Sequence, residues 1–582
     1  MTEQFEVHDR DGAARLGELR LDDPVWTPAL ADGVLDDAGS LWTAERDATG
    51  DESALTVLPH RAFPAGTPDE VQDAFAVDYP DVGFPSAAVV TPRTADDYGA
   101  DAYVLSGAPG LVGDARTFVE SVVGVREAVP PDTALVLSGV ATPENAALLA
   151  YAGVDLVDAD RAVVRGTQGR YLTTDGECDL ADRSELPCGC PVCADRTPGE
   201  LSREACAEHN ERALAAELRR VRERVRRGRL RDYVEGQVRS VPWLTAAFRR
   251  LDDEWGYMEP RTPVVRQAGM NATTEDALRR VEIRRFADRV TDRYRSRFTD
   301  APLLLVPCSA RKPYSRSQSH GKFQDAAEYR AHVVSMTSPI GVVPRELELT
   351  YPAQHYDAAV TGRWTAGEVE FVAEVLARYL RENDYPRIVA HLPDEYVEVV
   401  ETALAGVATP DPEFTVADHP TDDDSLANLA AALEGERTIR VAEHERATVR
   451  AVADYQFGRG AGDELFGEFD LEGRYPKSRV VDGEQLAALV PEYGTLSLTL
   501  AGGRRWVDSG VPVRRVEIDG FVPHGSVLAP GVVDASDGIR VGDEVVIEGP
   551  AAFAVGRAAM SGPEMAESTR GVAVEVRHCE ER

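Results

Sequence analysis

The sequence lacks the features of a membrane or secreted protein. Its 582 residues contain no run of about 18 apolar residues, so no transmembrane helix is predicted. The first residues, MTEQFEVHDRDGAARLG, lack the charged-then-apolar order of a signal peptide. The seven cysteines are too few and too clustered for a disulfide scaffold, since three of them fall within six residues. We therefore expect a cytoplasmic protein with no membrane association.

Positive charge is scarce as well. The chain has 100 acidic residues against 63 lysines and arginines, which gives a net charge of −37, and few of the basic residues are lysine. Acidity spread over every segment is typical of the protein surfaces of a salt-in halophile. In molar salt the Debye length is only about 3 Å, so this charge would repel RNA little. Nucleic acid therefore stays open as a partner, and the positions of the local basic residues become decisive.

Arginines cluster in two segments with helical spacing of their apolar residues. Residues 212–231 hold nine arginines, and Gly228 can end this first helix; residues 275–298 form the second segment. Two interpretations remain, solvated helix faces or a surface that contacts phosphates, and we favour the second. The candidate RNA contacts in the first segment are Arg219, Arg220, Arg222, Arg226 and Arg227.

The order of elements predicts an α/β multidomain protein. Between residues 85 and 160, strands such as AYVLSG and ALVLSGV alternate with helices, which indicates an α/β barrel or a doubly wound sheet. A second α/β unit begins near Ala301, a small α+β segment follows it, and the last residues are rich in short strands. We place the domains at 1–300, 301–437, 438–504 and 505–582.

Three cysteines and a histidine have the spacing of a metal site. Cys188, Cys190 and Cys193 form C-x-C-x2-C, and His209 follows on a predicted helix. Three thiolates and one imidazole suit tetrahedral zinc, and four protein ligands leave no open position, so the zinc would be structural. Cys206 is a rival for the fourth ligand, and cysteines that merely pack are the other alternative.

This segment resembles the zinc segment of tRNA-guanine transglycosylases, in which a His-Asn pair and a basic helix follow the cysteines. The strand GVDLVDAD resembles the strand that ends in that family's catalytic aspartate, and Asp158 occupies that position. The resemblance implies a TIM-type barrel for the first domain. The family's Asp-Ser-Gly-Gly-Phe-Gln segment, with its second catalytic aspartate, is absent. We therefore expect this domain to contribute tRNA binding and a substrate contact through Asp158, rather than base exchange.

The C-terminal residues resemble a PUA domain, a small β-barrel that binds structured RNA. HGSVLAPGVVDASDGIRVGDEVVI carries this resemblance, and the residues that precede it resemble the domain before PUA in archaeal transglycosylases. PUA domains contact RNA through backbone and shape more than through sequence. The candidate RNA contacts here are Gly525, Pro530 and Gly531.

The stretch PCSARKPYSRSQSH, residues 307–320, resembles the motif P-C-x3-K-P-Y-x2-S-x2-H of the archaeosine synthase alpha subunit. The candidate catalytic residues in this motif are Cys308, Lys312, Tyr314, Ser317 and His320. YPAQHYDAAVTGRW, residues 351–364, also resembles that family, and it supplies His355 and Asp357 as candidate substrate contacts.

The resemblance implies a reaction on a base already in tRNA. An amine, L-lysine in the family's better-supported activity, is added to the nitrile of 7-cyano-7-deazaguanine (preQ0) at position 15 in the D-arm. A radical SAM partner subunit then converts the adduct to archaeosine. Glutamine or ammonia as the amine donor stays open, as does the oligomeric state, for which a homodimer is one option. The alternative functions are a transglycosylase with Asp158 as nucleophile and a non-catalytic tRNA-binding subunit.

The residue types of the motif suit this chemistry. A nitrile is a weak electrophile, but a thiolate can attack it to give a thioimide that an amine then displaces. Cys308 follows a predicted strand, and Lys312 or Arg311 could lower its pKa. His320 could move protons between amine, nitrile nitrogen and sulfur.

Two further roles and one alternative complete this hypothesis. Tyr314 and Ser317 could donate hydrogen bonds to the amidine nitrogen or to the ring. In the alternative, Cys308 is a buried thiol without a catalytic role, and the amine attacks the nitrile directly with His320 as base.

Overall fold

The computed structural model describes residues 4–95, 99–360 and 362–582. The chain divides into two compact units. The first unit contains residues up to Pro263 together with Ser526–Arg540 and Ala559–Val574, and the second contains Val264–Gly525, Val541–Ala558 and Glu575–Arg582. No described helix is both long enough and apolar enough to cross a membrane.

The strands of the first unit up to Pro263 are β1 (Phe5–Asp11), β2 (Ala14–Leu19), β3 (Val25–Trp26), β4 (Ala29–Leu30), β5 (Leu35–Asp37), β6 (Leu55–Val57), β7 (Ser86–Val90), β8 (Ala102–Leu105), β9 (Ala134–Leu137), β10 (Leu156–Val157), β11 (Arg170–Thr173) and β12 (Gly176–Asp179). Its helices are α1 (Asp69–Ala74), α2 (Ala115–Ala128), α3 (Ala146–Tyr151), α4 (Asp160–Thr167), α5 (Arg203–Arg226), α6 (Leu230–Gln237), α7 (Pro242–Asp253) and α8 (Trp255–Arg261).

A curled parallel sheet organises this unit. It has seven strands in the order β4-β10-β9-β8-β7-β6-β5. The edge strands β4 and β5 are consecutive in the chain. The segment between them forms hydrogen bonds with β10 at one end of the sheet and with β6 near the other. The Ala31 N–H donates to Val157 O over 2.7 Å, and the Leu55 N–H donates to Val34 O over 2.8 Å. One short segment therefore bonds to both ends of the strand order, and the described part of the chain forms a curled parallel sheet of the half-barrel kind, which confirms the predicted α/β fold.

Burial explains why the central strands of this sheet are uniformly apolar. All residues of β7, SAAVV, and of β9, ALVL, are buried. Parallel strands are covered on both faces, so they read as continuous apolar runs rather than as an alternating pattern. Such a run, ALVLSGV, was the signal that located β9 in the sequence.

The strands of the second unit up to Gly525 are β13 (Met270–Ala272), β14 (Leu303–Pro307), β15 (His332–Thr337), β16 (Gly341–Pro344), β17 (Tyr356–Ala358), β18 (Ile388–Ala390), β19 (Pro412–Phe414), β20 (Asp470–Arg474), β21 (Lys477–Asp482), β22 (Glu484–Val490), β23 (Thr495–Leu498) and β24 (Arg515–Ile518). Its helices are α9 (Val281–Asp292), α10 (Gln318–Ala327), α11 (Ala366–Glu382), α12 (Val397–Leu404), α13 (Asp423–Ala432), α14 (Val441–Phe457), α15 (Ala461–Phe466) and α16 (Leu500–Asp508).

A five-stranded sheet forms the centre of the second unit, in the order β16-β15-β14-β18-β19. Strands β15, β14, β18 and β19 run parallel, and β16 pairs antiparallel with β15. Strand β14 is buried along LLLV and lies at the middle of the sheet. Ligands in open parallel sheets bind beyond the carboxyl ends of the strands. Cys308 directly follows β14 and therefore lies at that edge.

Two smaller sheets complete the second unit up to Gly525. Strand β13 pairs in parallel with β17, which joins the segment before Ala301 to the segment that ends at Ala358. Strands β20 to β23 form an antiparallel four-stranded sheet.

The C-terminal residues add further short strands and a helix. Strand β27 (Glu544–Glu548) pairs in parallel with β24 and antiparallel with β28 (Ala552–Ala558). The remaining elements are β25 (Ser526–Leu528), β26 (Val532–Ala535), α17 (Gly562–Glu567) and β29 (Val572–Glu581).

Candidate active site and metal centre

A cavity of about 1170 Å³, including its open mouth, lies at the carboxyl edge of the five-stranded sheet. Its wall combines the residues after β14, the end of β15, strand β17 and the segment before α12. We call it the thiol cavity. The chemically active residues that line it are Cys308, Lys312, Thr337, Tyr356, Asp357 and Tyr396.

Cys308 is placed by the sheet itself. Pro307 is in register with Met336 on β15, and the Cys308 N–H donates to Met336 O over 3.1 Å. The backbone at Cys308 is therefore tied to the neighbouring strand, while the half-buried side chain lines the cavity. The Cys308 Sγ lies 4.0 Å from the Tyr396 hydroxyl oxygen. The Tyr396 hydroxyl is thus close enough to the thiol to donate a hydrogen bond to a group that becomes negatively charged beside the sulfur.

Lys312 lies across the same cavity. Its Nζ is 3.9 Å from the centre of the Tyr356 ring, a cation–π distance. Burial lowers the pKa of Lys312, while the charges of Cys308 and Asp357 act in the opposite direction. Lys312 thus places an amine in the cavity that Cys308 also lines.

Buried hydroxyl groups support the floor of the cavity. The Tyr356 hydroxyl lies 2.5 Å from the Tyr314 hydroxyl and 2.7 Å from Thr337 Oγ1. Burial raises the pKa of Tyr314 and of Tyr356 far above the usual value, so both stay protonated. Tyr314 is behind Tyr356 and does not line the cavity among the described residues. It fixes the ring on which Lys312 rests.

Ser317 and His320 form the next layer. The Ser317 side chain caps α10 by accepting from the His320 N–H over 3.2 Å. His320 Nε2 lies 2.9 Å from Pro307 O, and burial lowers the pKa of His320 to about 4. Because a neutral Nε2–H donates to this carbonyl, His320 holds the end of β14 in place. Within the described part of the chain it does not line the cavity, and the proton transfer expected of it stays a prediction.

The two candidate substrate contacts on the segment around β17 diverge. Asp357 is exposed and lines the thiol cavity. His355 packs on Tyr351, with the ring centres 5.4 Å apart, and its buried Nδ1 has no hydrogen-bond partner among the described residues. His355 is absent from the described wall of the cavity. His355 precedes strand β17, whereas Asp357 lies within it, between the cavity-lining residues Tyr356 and Ala358.

Several residues of the cavity were not anticipated. Tyr356 and Trp364 lie inside the stretch 351–364, whose aromatic residues were a usable signal. Tyr396 follows the strand β18, and its ring centre is 4.6 Å from that of Trp364. Glu275 comes from the segment after β13, before residue 301, and nothing in its local sequence pointed to the cavity. Carboxylates of Glu275, Glu368 and Glu395 add acidic groups to the lining, which also contains the cationic Arg363.

Asp158 lies in the other unit, directly after β10 at the carboxyl end of the curled sheet. The Gly139 N–H donates to both of its oxygens, over 2.9 and 3.0 Å. Burial raises the pKa of Asp158 against these hydrogen bonds. Both carboxylate oxygens of Asp158 therefore accept from backbone.

Most of the candidate arginines on α5 are engaged with neighbouring groups. Arg220 pairs with the buried Glu217, and Arg222 Nη1 donates to Pro28 O over 2.5 Å. Arg226 and Arg227 lie 3.8 and 2.6 Å from carboxylate oxygens of Glu223. Arg219 is exposed. These ion pairs reduce the local positive charge that the sequence alone suggested.

The candidate PUA contacts have different surroundings. Gly525 has φ of +81° and open space around the position of a side chain. Pro530 and Gly531 belong to a short helical turn, Ala529–Gly531, between β25 and β26. A glycine with positive φ and no neighbours lets backbone approach a ligand closely.

The cysteine cluster has the geometry of a metal centre. Ligand atoms of Cys188, Cys190, Cys193 and His209 all lie within 4.8 Å of one another. His209 Nε2 donates to Leu172 O over 3.0 Å, which leaves Nδ1 facing the sulfurs of Cys193 and Cys190 at 3.3 and 3.7 Å. Such a second hydrogen bond is what orients a metal-bound imidazole. The four residues can therefore hold a metal ion.

Cys206, the rival fourth ligand, lies outside this group of four. It is buried, and its Sγ points to Arg170 O at 3.5 Å. His209 is held in place by Tyr171, whose ring stacks on the imidazole at 3.9 Å with an angle of 10°.

Four family matches cover most of the chain. Residues 88–242 match queuine tRNA-ribosyltransferase, and residues 283–433 match a domain of unknown function (DUF5591). Residues 447–512 match the patch-forming domain C2 of tRNA-guanine transglycosylase, and residues 515–579 match the PUA domain. The curled sheet and these matches define a multidomain tRNA-modification protein of the transglycosylase-related class.

Full-length relatives narrow the class to one family. The chain is 61% identical to archaeosine synthase of Haloferax volcanii over 100% of both chains. It is 43% identical to archaeosine synthase subunit alpha of Methanosarcina acetivorans over 99% of both. A tRNA-guanine(15) transglycosylase of Methanothermobacter thermautotrophicus is 30% identical over 79% of this chain and 68% of its own length. The chain belongs to the archaeosine synthase family.

Proposed function

We propose that this chain adds the amine of L-lysine to the nitrile of 7-cyano-7-deazaguanine at position 15 of tRNA, giving an amidine. The observation that carries the proposal is the arrangement of Cys308, Lys312 and Tyr396 around one cavity at the carboxyl edge of a parallel sheet. RNA binding alone needs no thiol beside a cation. A nitrile needs both a nucleophile at carbon and a donor at nitrogen.

The first step forms a covalent bond to the enzyme. The Cys308 thiolate, in the cavity that Lys312 also lines, attacks the nitrile carbon. One C≡N π bond breaks as the S–C bond forms, and the nitrogen takes one proton to give a thioimide. The Tyr396 hydroxyl lies 4.0 Å from the sulfur and can donate to that nitrogen. Stabilising charge where it develops is the largest catalytic contribution of many enzymes.

The second step releases the product. The amine attacks the thioimide carbon, the C–S bond breaks, and the thiolate returns while the amine nitrogen loses a proton. The sum is nitrile plus amine giving amidine, so no oxidant or other co-reactant is needed. In the cavity lining, the carboxylates of Glu275, Asp357, Glu368 and Glu395 outnumber the cationic Lys312 and Arg363, which favours a cationic amine donor close to Cys308.

Three residues of the motif 307–320 hold the residues of the thiol cavity in place. Tyr314 holds Tyr356 beneath Lys312, Ser317 caps α10, and His320 secures Pro307, the residue before the thiol. This assignment moves His320 from proton transfer to positioning. If Cys308 were only a packing thiol, the amine would have to attack the nitrile directly.

Around this centre we propose RNA-binding and structural roles for the rest of the chain. The PUA segment with Gly525, Pro530 and Gly531, and the arginines of α5, contact tRNA, and Asp158 contributes a substrate contact. A radical SAM partner subunit converts the lysine adduct to archaeosine, and the name of the Methanosarcina relative, a subunit alpha, is consistent with a partner.

For the metal centre we propose structural zinc on Cys188, Cys190, Cys193 and His209, because three sulfurs and one nitrogen match zinc and no ligand position is left for substrate. Metal analysis should give about one zinc per chain, and Cys190→Ser should lose it and destabilise the segment before α5. Cys178→Ser, outside the cluster, is the matched control. Protein without stoichiometric metal would contradict this assignment.

One rival function has specific support. The transglycosylase relative and the position of Asp158 favour base exchange. Against it stand the missing second aspartate segment and the engagement of Asp158 by the Gly139 N–H.

The experiment that separates amidine formation from base exchange is a mass measurement of the nucleoside. Protein is incubated with tRNA carrying the cyano base and lysine, glutamine or ammonia, and separately with unmodified tRNA and the free base.

Amidine formation predicts a lysine adduct in the first incubation and no incorporation in the second. Incorporation of the free base would instead establish exchange, and an adduct from ammonia or glutamine would change the donor. No modification of either tRNA would leave the chain as a binding subunit.

A further inference from the structure

A second cavity lies at the opposite end of strand β15 from the thiol cavity. Thr337, the last residue of β15, lines the thiol cavity, whereas His332, the first, lines the second cavity. Six residues of strand separate the two by about 16 Å. The second cavity has a volume of about 750 Å³, and we call it the aromatic cavity. Its ring-bearing and cationic lining residues are Phe298, Tyr329, His332, Arg345, His444 and Tyr475.

The inner rings of the aromatic cavity are held rigidly. His332 is buried between Glu346, at 3.0 Å, and the Tyr385 hydroxyl, at 2.8 Å. The buried Phe298 ring lies 5.2 Å from the ring centre of His332 and 6.1 Å from that of His444, parallel to the latter within 12°. The inner wall of the aromatic cavity is therefore formed by rings whose positions are fixed by their neighbours.

The mouth of the cavity exposes apolar surface. Tyr329 is 49% exposed and Val441 is 63% exposed, and both belong to the cavity wall. Glu328 and Tyr329 have φ of +46° and +58°, a conformation that costs free energy for residues other than glycine. The Ile439 N–H donates to Tyr329 O over 2.7 Å and fixes this conformation. Strained backbone thus keeps a tyrosine ring at the entrance instead of in the core.

Polar groups on the wall are few and diverse. Gln324 supplies an amide, Glu445 a carboxylate and Arg345 a guanidinium, among neighbours such as Ile439 that are apolar. A lining of aromatic and apolar faces with a few polar groups is typical of small-ligand sites. The combination of stacking faces with donors and acceptors fits a nucleobase, which has an apolar face and a polar edge.

We propose that the aromatic cavity binds a nucleobase, with Tyr329 stacking on it at the mouth. The base could belong to an unstacked nucleotide of a bound RNA or to a free nucleotide, and the chemistry of the contact is the same. Proteins bind unpaired bases in this way, by stacking them on exposed aromatic side chains. The RNA source rests on the proposed tRNA substrate, whereas the nucleotide source does not.

Occupancy of this cavity has a physical route to the thiol cavity. Arg345 lies 3.2 Å from Glu348, and Glu348 accepts from the Ser315 N–H over 2.8 Å. Ser315 follows Tyr314 in the loop that carries Lys312. A ligand that draws Arg345 toward itself would therefore weaken the contact that holds this loop.

The test compares Tyr329→Ala with Tyr329→Phe, which keeps the stacking ring. Phe414→Ala is the matched control, because Phe414 is a 40% exposed aromatic residue of the same unit outside the described wall of the cavity. One arm measures the affinity of each full-length variant for a tRNA transcript. The other measures binding of AMP, GMP, CMP and UMP by saturation-transfer NMR.

Loss of one stacked base should weaken tRNA binding by about tenfold in Tyr329→Ala, with wild-type affinity in the other two variants. A Tyr329-dependent signal from a mononucleotide, with unchanged tRNA affinity, identifies a free nucleotide as the source. Unchanged tRNA binding together with no Tyr329-dependent mononucleotide signal overturns the proposal. Amidine formation at saturating tRNA is followed in parallel, because its absence in the wild type would count against the proposed function and not against this cavity.

Discussion

The two largest sheets with parallel strands in the described part of the chain each end in a candidate catalytic residue at their carboxyl edge. At the curled sheet this residue is Asp158, whose oxygens accept from the Gly139 N–H. At the five-stranded sheet it is Cys308, whose sulfur faces a cavity with Lys312 and Tyr396. The same kind of edge thus supports two very different sites. A fold supplies the position, and only the local side chains decide whether chemistry follows.

The largest effect is expected from removal of the Cys308 thiol. Cys308→Ala should reduce adduct formation below detection, because the proposed covalent step has no other nucleophile. Its tRNA affinity should stay at the wild-type value, since the thiol is not part of the RNA contact. Cys579→Ala, a half-buried thiol on β29, is the control and should keep full activity. A near-normal rate in Cys308→Ala, measured by mass of the nucleoside, would favour direct attack by the amine.

A second substitution sharpens the account of the thiol cavity. Tyr396→Phe removes a hydroxyl 4.0 Å from the Cys308 sulfur, and loss of one donor to developing charge costs about 10²-fold in rate. Tyr314→Phe is the matched comparison, because its hydroxyl contacts Tyr356 in the layer behind the cavity. Because Tyr314 is absent from the described lining of the cavity, its effect on kcat should be several times smaller. Equal losses in the two variants would remove Tyr396 from the proposed role.

His320 tests whether the support of the thiol is structural. Burial lowers its pKa to about 4, so the folded state binds fewer protons than the unfolded state between that value and about pH 6.5. The neutral ring therefore contributes stability at neutral pH, and this contribution, about 3 kcal/mol, is lost as pH falls through this window.

The variant His320→Gln lacks that titration. Denaturant unfolding should show it less stable than wild type at pH 7, and the gap should narrow toward pH 4. A gap that is constant with pH would contradict the assignment of a buried, neutral imidazole.

The smallest effect is expected at the other sheet. Asp158→Asn should leave kcat for amidine formation unchanged and raise the KM for tRNA at most slightly, because the proposal gives this residue a substrate contact and no step. Steady-state kinetics with cyano-base tRNA measure both constants. A loss of kcat comparable with that of Cys308→Ala would return the chemistry to the curled sheet.

The sequence predicted the parallel strands well because buried runs such as LLLV and ALVL leave little ambiguity. It also identified Cys188, Cys190, Cys193 and His209, since ligand spacing within one short segment is visible in the chain. The curling of the first sheet could not be predicted in this way. It depends on hydrogen bonds of residues 31 and 34 to strands that are distant in the sequence, and no local sequence pattern indicates such bonds.

The thiol cavity was predicted only in part, for a related reason. Cys308 and Lys312 belong to one motif, but Glu275 and Tyr396 come from segments that meet them only through the pairing of β13 with β17 and the order of the central sheet. His320 belongs to the same motif, but its side chain points toward Pro307, because the first turn of α10 directs it there. Membership of a motif places residues in one region without fixing which of them face the cavity.

The central claim is that Cys308 bonds covalently to the nitrile carbon, and trapping that bond tests it most directly. Wild-type protein is incubated with cyano-base tRNA in the absence of any amine, digested, and examined by intact-mass and peptide mass spectrometry. The account predicts a nucleotide-modified peptide that contains Cys308, which disappears on addition of lysine and is absent in Cys308→Ala. An active enzyme that gives no such species, with lysine adduct forming at the same rate in Cys308→Ala, would contradict it.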